Sequence, residues 1–453
     1  MTGSPSIVTR LGSTLAATLI LLAPALWNRL PLLEYDTGGY LARWFEGYLV
    51  PSRSVVYGLF LTAGWPLDFW PVVVVQAAAA IWILALVFRI HGFAGRPLAF
   101  LAIVVLLALT TTLPWIASIL LTDIFAGLAV LALYVLVLHA DRLKWHERAA
   151  LIVFVAFAAA THSATLLVLL ALVAAGLIAS LIDRTRVPRR AVARAAGAIV
   201  LGAAMLLTAN LVVAKRLAWT PGGYGIVFAR MLQDGIVARY LEEHCPERHL
   251  KLCPYRRQLP ATADAFLWGD SVFNKLGRFD GLDEEMRAIV LDSLLDYPVM
   301  QIETALAASA KQLVRVATGE GVLTTIWHTY GIMERYTPSV VPAMRAARQQ
   351  RGELRFDAIN AVHVPVGLAG TALLPLIILV ALRRRSLGDL GLLAATVALA
   401  ILTNAVACGT LSNAHDRYGA RMIWLAPLVT ALVVLRRRSV VEETRQQYAA
   451  APA

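Results

Sequence analysis

Long apolar stretches recur along this chain, and they constrain its fold more than any other feature of the sequence. Hydrophobic residues make up 59% of the 453 residues and charged residues only 15%, and the mean hydropathy is +0.68. An ordinary soluble domain carries about 25% charged residues. A helix that crosses a bilayer needs about 20 predominantly apolar residues. The composition therefore predicts an all-α polytopic membrane protein.

Ten segments are apolar enough to be predicted as membrane-spanning helices: 11–33, 69–89, 97–114, 117–139, 148–161, 163–183, 192–214, 358–382, 388–409 and 420–435. Only Thr161-His162-Ser163 separates the fifth segment from the sixth, and we expect a tight turn there. Strict alternation of apolar residues is absent, so the sequence does not indicate a β-barrel. No small-x-small cleavage site follows the first segment, which predicts an uncleaved helix.

Basic residues predict the orientation of these helices, because cytoplasmic loops carry an excess of Arg and Lys. Ten helices place every basic cluster on the cytoplasmic side: Arg10, 89–96, 142–148, 184–194, 383–385 and 436–438. Both ends of the chain, including the tail 439–453, are then cytoplasmic. The net charge is +12. Because these basic residues sit in short runs between apolar segments, where they act as topology signals, we expect no nucleic-acid partner.

One long hydrophilic segment, 215–357, divides the chain. It separates an N-terminal module of about seven helices (1–214, with a first outer loop at 34–68) from a C-terminal module of about three (358–438). Apolar residues at helical spacing predict a mainly helical extracytoplasmic domain for this segment. Cys245 and Cys253 lie in it without His or Cys partners at zinc spacing, which favours a disulfide in an oxidising compartment.

Polar residues collect at the predicted outer ends of the helices. Asp36 follows the first helix, and a carboxylate at the membrane boundary is costly unless it is paired, solvated or functional. The aromatic residues after it predict a helix that lies in the membrane interface over 36–50. The same face receives Arg53, Tyr57, Asp123, His162, His415, Arg417, Tyr418 and Arg421.

Four short motifs resemble the GT-C superfamily of glycosyltransferases, which use polyprenyl-phosphate sugars. They are the acidic residues after the first helix, Arg53 followed by Tyr57, Ser118 followed by Asp123, and the pair Arg417-Tyr418 before the last helix. The resemblance covers residues 1–220 and, more loosely, the last two helices. It implies an enzyme of the bacterial inner membrane that modifies cell-envelope glycans from the periplasmic face.

The resemblance also implies the substrates and the residue roles. A polyprenyl-phosphate-sugar would be the donor, and a lipid, a glycan or a protein the acceptor. Asp36 would be the general base for the acceptor hydroxyl, with its pKa raised by burial, and Asp123 or Glu34 would be a second acid. Arg53, Arg417 and His415 would bind the donor phosphate, supported by Tyr57, His162, Tyr418 and Arg421.

One departure from the motifs leaves the use of a divalent metal open. In relatives the acidic residues after the first helix are often adjacent, whereas Tyr35 separates Glu34 from Asp36 here. Membrane lipids are expected around the whole chain, and no other cofactor is implied.

Each proposed role has a structural alternative. Asp36 would serve as the N-cap of the helix that follows it, since Asp is favoured there. Asp123 would only pair with an arginine, His162 would only occupy a turn, and Arg53 and Arg417 would reach lipid headgroups. Two other functions also stay open: a flippase or transporter of lipid-linked glycans, and a polysaccharide ligase or polymerase. The ligase would use residues of the long segment such as Arg230, His249 and His328.

Overall fold

The computed structural model describes residues 6–245, 247–384 and 388–449. Arg385 of the predicted basic clusters and residues 450–453 of the predicted tail lie outside this part of the chain. The described residues form helices and contain no β-strand, apart from one isolated bridge between Leu32 and Ile119. The predicted all-α fold class is confirmed.

The N-terminal module contains the first eleven helices: α1 (Ile7–Leu21), α2 (Ala23–Asn28), α3 (Tyr35–Glu46), α4 (Val55–Gly64), α5 (Trp70–Ile90), α6 (Pro97–Thr110), α7 (Leu113–Ser118), α8 (Asp123–Leu138), α9 (Trp145–Thr161), α10 (Ser163–Ile182) and α11 (Arg189–Ala214). The long hydrophilic segment contains eight: α12 (Gly223–Gln233), α13 (Ile236–His244), α14 (Ala263–Leu267), α15 (Val272–Lys275), α16 (Arg278–Asp296), α17 (Pro298–Val314), α18 (Trp327–Tyr336) and α19 (Val341–Ala346). The C-terminal module contains α20 (Phe356–Arg383), α21 (Gly388–Leu411), α22 (Asp416–Ile423) and α23 (Leu425–Ala449).

Six helical segments of the described chain are long and apolar enough to cross a membrane: α5, α10, α11, α20, α21 and the joined stretch Asp416–Arg438. Three predicted spans correspond to shorter apolar helices, α1, α6 and α8. A further predicted span corresponds to α9, which has 17 residues. An apolar helical stretch over Val55–Leu67 was not among the predicted spans.

The predicted fourth span is interrupted near its start, because residues 119–122 are not helical. The helix was predicted from residue 117, but α8 begins at Asp123. Backbone hydrogen bonds divert the preceding residues, because Leu32 N donates to Ser118 O at 2.9 Å and Leu120 N donates to Leu32 O at 2.9 Å. The backbone around Leu32 therefore runs beside residues 118–120, next to Glu34 and Asp123.

The long hydrophilic segment is helical, as predicted, but it divides into two parts. Its first part has a separate apolar core that includes Phe228, Phe266, Phe273, Met286 and Ile289. Its second part packs on the apolar bundle, with α17 along α21 and α18 along α3. The predicted disulfide between Cys245 and Cys253 is present, and Cys408 is free and buried.

Candidate active site

Asp36 lies in the first turn of α3, where the helix start is already capped by its neighbour. The Glu34 carboxylate accepts a hydrogen bond from Asp36 N at 2.7 Å, and Thr37 Oγ1 accepts one from Glu34 N at 3.0 Å. These two bonds form a capping box. The interpretation of Asp36 as the N-cap is therefore wrong, and its side chain is available for other contacts.

Asp36 contacts two arginines that come from distant parts of the chain. One carboxylate oxygen accepts from Arg53, directly before α4, and the other accepts from Arg417 Nη1 at 2.7 Å. Arg417 lies in the first turn of α22, and its Nη1 also donates to Glu34 Oε1 at 2.9 Å. Arg53 and Arg417 are only 16% and 12% exposed, so they do not extend towards lipid headgroups.

Asp123 and Arg421 extend this arrangement towards the bundle interior. Arg417 Nε is 3.2 Å from one Asp123 oxygen, and Arg421 Nη1 is 3.8 Å from the other. Arg421 is almost fully buried and donates to Asn404 Oδ1 from α21. We call Glu34, Asp36, Arg53, Asp123, Arg417 and Arg421 the charge cluster. Its three carboxylates and three guanidinium groups balance, which buried charges require.

The pKa values of Asp36 and Glu34 are shifted in opposite directions. Burial alone would raise the pKa of Asp36, but Arg53 and Arg417 lower it to about 2. The expectation that burial raises this pKa is wrong for the ion-paired state. Burial raises the pKa of Glu34 to about 7, against the opposing effect of Arg417. Burial therefore favours the protonated form of Glu34, whereas the two arginines favour the ionised form of Asp36.

Both ring nitrogens of His415 contact carboxylates outside the charge cluster. Its Nδ1 is 2.9 Å from Glu320 Oε1 and its Nε2 is 3.4 Å from Asp264 Oδ2. Burial would lower the pKa of His415, but these two carboxylates raise it to about 9. His415 is thus placed to join α14 to the start of α22.

Glu320 was not predicted and belongs to the same site. Besides His415, it accepts a hydrogen bond from Arg417 N at 2.7 Å. The flanking Gly319 and Gly321 have φ of +93° and +81°, and a Cβ at Gly321 would collide with the Glu34 carboxylate. The Gly-Glu-Gly sequence signals a tight turn, but it does not indicate what the turn contacts.

Three predicted supporting residues have definite positions. His162 is the N-cap of α10, its Nδ1 accepting from Ala164 N at 3.2 Å. Burial and the nearby Arg421 lower its pKa well below the usual value, so the ring is neutral. The Tyr418 ring centroid lies 5.5 Å from the Arg417 guanidinium and 5.4 Å from that of Arg421. Tyr57 instead donates to Gln76 Oε1 at 3.2 Å, away from the guanidinium groups.

Two small cavities border the charge cluster. One, of about 20 Å³, is lined by Arg53 and His162. The other, of about 30 Å³, lies between Trp115, Phe356 and Arg417. A single water needs about 10–15 Å³, so neither cavity holds a sugar in this ion-paired state.

The residues of the alternative ligase interpretation do not gather in one place. Arg230 pairs with Asp234 at 2.6 Å, whereas His249 and His328 are exposed on separate elements. Among the described residues, no group of three or more His, Cys, Asp or Glu side chains could hold a metal ion. The carboxylates of the charge cluster face guanidinium groups instead, a set of neighbours that does not fit a cation. No protein family, curated protein or solved structure matches this chain.

Proposed function

We propose that this chain is a membrane glycosyltransferase of the GT-C type. It transfers a sugar from a polyprenyl-phosphate donor to an acceptor hydroxyl, on the outer face of the membrane. The observation that supports this most is the convergence of Asp36, Arg53 and Arg417 in one nearly buried cluster. These residues are far apart in the sequence, and they occupy the positions on which the resemblance rests.

Ten membrane crossings, with the charge cluster at the outer face, fit this proposal. Arg89 at the end of α5, Arg142 in the turn after α8 and Arg436 in α23 lie at the opposite end of the bundle from Asp36. Arg142 and Arg436 donate there to the backbone of Ile90 and His91. The 16 residues of α8 span about 24 Å, less than the roughly 30 Å hydrocarbon core. Asp123 at its start then lies slightly below the outer surface, within reach of a lipid phosphate.

The donor phosphate would compete with Asp36 for Arg53 and Arg417. Guanidinium groups bind phosphate in a bidentate manner and stabilise its developing charge. When phosphate takes these partners, Asp36 loses the charges that lower its pKa and becomes a stronger base. It then accepts the proton of the acceptor hydroxyl as the oxygen bonds to the anomeric carbon. The bond from that carbon to the phosphate oxygen breaks, and polyprenyl phosphate leaves with the electron pair.

Glycan and lipid profiling of a deletion strain tests this function. Mass spectrometry of the deletion strain should show one missing sugar, and complementation with the wild-type gene should restore it. Asp36→Asn should lower transfer by about 10²–10⁴-fold, the usual effect of losing a general base. Asp296→Asn, a change at an exposed aspartate of α16, is the matched control and should restore the sugar fully.

The membrane abundance of each variant must be measured together with the profile. Full restoration by Asp36→Asn at normal abundance would remove the assigned base. A deletion that leaves every glycan and lipid unchanged would contradict the transferase proposal and favour transport.

A further inference from the structure

A groove of about 800 Å³ lies between the membrane bundle and the long hydrophilic segment. One wall is formed by Gly47–Leu49 after α3 and by the end of α11. The other wall is formed by the turn 220–224 and the start of α16. Its volume is within the roughly 300–1,000 Å³ of small-molecule sites, whereas the cavities at the charge cluster hold one or two waters.

The groove adjoins the charge cluster at one end. Leu49, Thr220 and Pro221 border both the groove and the small cavity that contains Arg53. Ser52 N donates to Thr220 Oγ1 at 3.1 Å, which joins the two walls at this point. Arg53 lines that small cavity and contacts Asp36, so the groove ends one residue away from the proposed base.

The groove lining combines aromatic rings with charges that have no ionic partner. Tyr48 and Tyr224 are 52% and 39% exposed. Within the described chain, no ion pair or hydrogen bond involves the side chains of Arg216, Asp280 or Asp283. One oxygen of Asp283 is buried without a hydrogen-bond partner. An ionised carboxylate only accepts hydrogen bonds, so Asp280 and Asp283 offer acceptors to a ligand that carries donors.

A glycine turn holds the second wall in place. Gly222 has φ of +58°, and a Cβ on it would lie 2.6 Å from the Phe279 ring. Only glycine allows the turn to pack this closely against the start of α16. The position of Tyr224 relative to Asp280 and Asp283 therefore depends on this contact.

We propose that the groove binds the acceptor of the transfer, and that this acceptor is a saccharide. The acceptor role rests on the proposed function, but the binding of a saccharide can be tested alone. Sugar hydroxyls donate to carboxylates and accept from a guanidinium group. Arg43 and Arg287 lie 4.4 and 5.7 Å from the Tyr48 and Tyr224 ring centroids, so the opposite face of each ring is the one that attracts sugar C–H groups.

Other ligand classes fit the lining less well. The three charged side chains disfavour a polyprenyl chain, because each would lose its hydration beside hydrocarbon. The two carboxylates repel a phosphate or a nucleotide. A cationic peptide would satisfy Asp280 and Asp283 but would be repelled by Arg216.

Saturation-transfer NMR on the full chain in lipid nanodiscs tests the groove. The probes are the methyl glycosides of glucose, galactose, mannose and arabinose. At least one of them should receive saturation from the wild-type protein. Asp283→Asn should weaken its binding by about tenfold, as expected for a hydrogen bond to a charged group. Tyr48→Ala, on the opposite wall, should weaken it as well, and Asp296→Asn on the same helix as Asp283 should not.

Three results would overturn the saccharide site: no saturation transfer to any glycoside, equal saturation transfer in all variants, or binding of a tetralysine peptide that Asp283→Asn abolishes. Asp36→Asn separates the two proposals, because it should abolish sugar transfer in cells but leave glycoside binding intact. If Asp36→Asn keeps full transfer while the groove variants lose glycoside binding, the transferase mechanism fails and the saccharide site stands.

Discussion

The two ends of the apolar bundle carry charges that are paired in different ways. At the end that carries the basic loops, Arg89 and Glu147 form two parallel hydrogen bonds of 2.7 Å each. Arg142 and Arg436 donate there to backbone carbonyls of Ile90 and His91, each at 2.9 Å. In the charge cluster at the other end, a single guanidinium group, Arg417, contacts three carboxylates.

Under the proposed function, this difference separates structural pairing from a site that binds a ligand. The Arg89–Glu147 pair uses both oxygens and two nitrogens, so a further ligand would gain little there. In the charge cluster, Arg417 Nε and Asp123 Oδ1 are buried without a hydrogen-bond partner. Such atoms also occur at the other end, at Arg148 Nε and Arg436 Nε, so the ends differ mainly in how many carboxylates share one guanidinium group. The comparison therefore predicts that substitutions at the two ends differ in kind.

The largest effect should come from Arg417→Met. The substitution leaves Glu34, Asp36 and Asp123 with one guanidinium contact fewer each, and breaking a buried pair in this way costs about 3–5 kcal/mol. Transfer should be lost as well, because the donor phosphate loses a ligand. The midpoint of thermal unfolding in detergent, measured beside membrane abundance, checks the loss of stability.

A second substitution sharpens this prediction. Asp123→Asn removes one of the unpaired carboxylates, so the double variant Arg417→Met/Asp123→Asn should unfold at a higher temperature than Arg417→Met alone. Transfer should not return, since the phosphate ligand is still missing. A double variant that is less stable than Arg417→Met would show that Asp123 is not held by Arg417.

A smaller, pH-dependent effect is expected at His415. Its pKa is raised to about 9 in the folded chain, above the ordinary value of about 6.5. The stabilisation is therefore complete below about pH 6.5 and is lost as the pH rises through about 9, amounting to at most about 3 kcal/mol. Unfolding midpoints from pH 6 to 10 should fall more for the wild type than for His415→Gln.

Asp264 and Glu320 are the carboxylates that face His415, and both should be ionised over this range. Parallel curves for the wild type and His415→Gln would exclude the imidazolium as the stabilising group. No comparable loss is expected at the Arg89–Glu147 pair, because it contains no group that titrates in this range.

The local hydrophobic pattern predicts most of the helices but not every residue at which they begin. Apolar runs locate α5, α10, α11, α20 and α21 because a helix in lipid satisfies its own backbone. The unwound stretch before Asp123 depends instead on hydrogen bonds with Leu32, 88 residues away from Leu120. Hydrophobic periodicity contains no information about such a pairing.

In the candidate site, too, some residues could be predicted from local sequence motifs and others could not. Asp36, Arg53 and Arg417 stand in short motifs and could be named from the sequence. Glu320 and Asn404 could not, because only tertiary contacts bring them to Arg417 and Arg421. The direction of the pKa of Asp36 was missed for a related reason: burial was foreseen, but the two guanidinium groups beside the carboxylate were not.

The smallest effect should come from Arg89→Gln at the other end of the bundle. Arg89 is 35% exposed, so water replaces part of the lost contact and the cost should be below about 1 kcal/mol. Glu147 keeps its hydrogen bond to Lys144 N at 2.9 Å and continues to hold the start of α9. The unfolding midpoint should therefore move several times less than in Arg417→Met, and the glycan profile should match the wild type. Lost transfer in Arg89→Gln at normal abundance would contradict the comparison, because the end with the basic loops would then contribute to function and not only to folding.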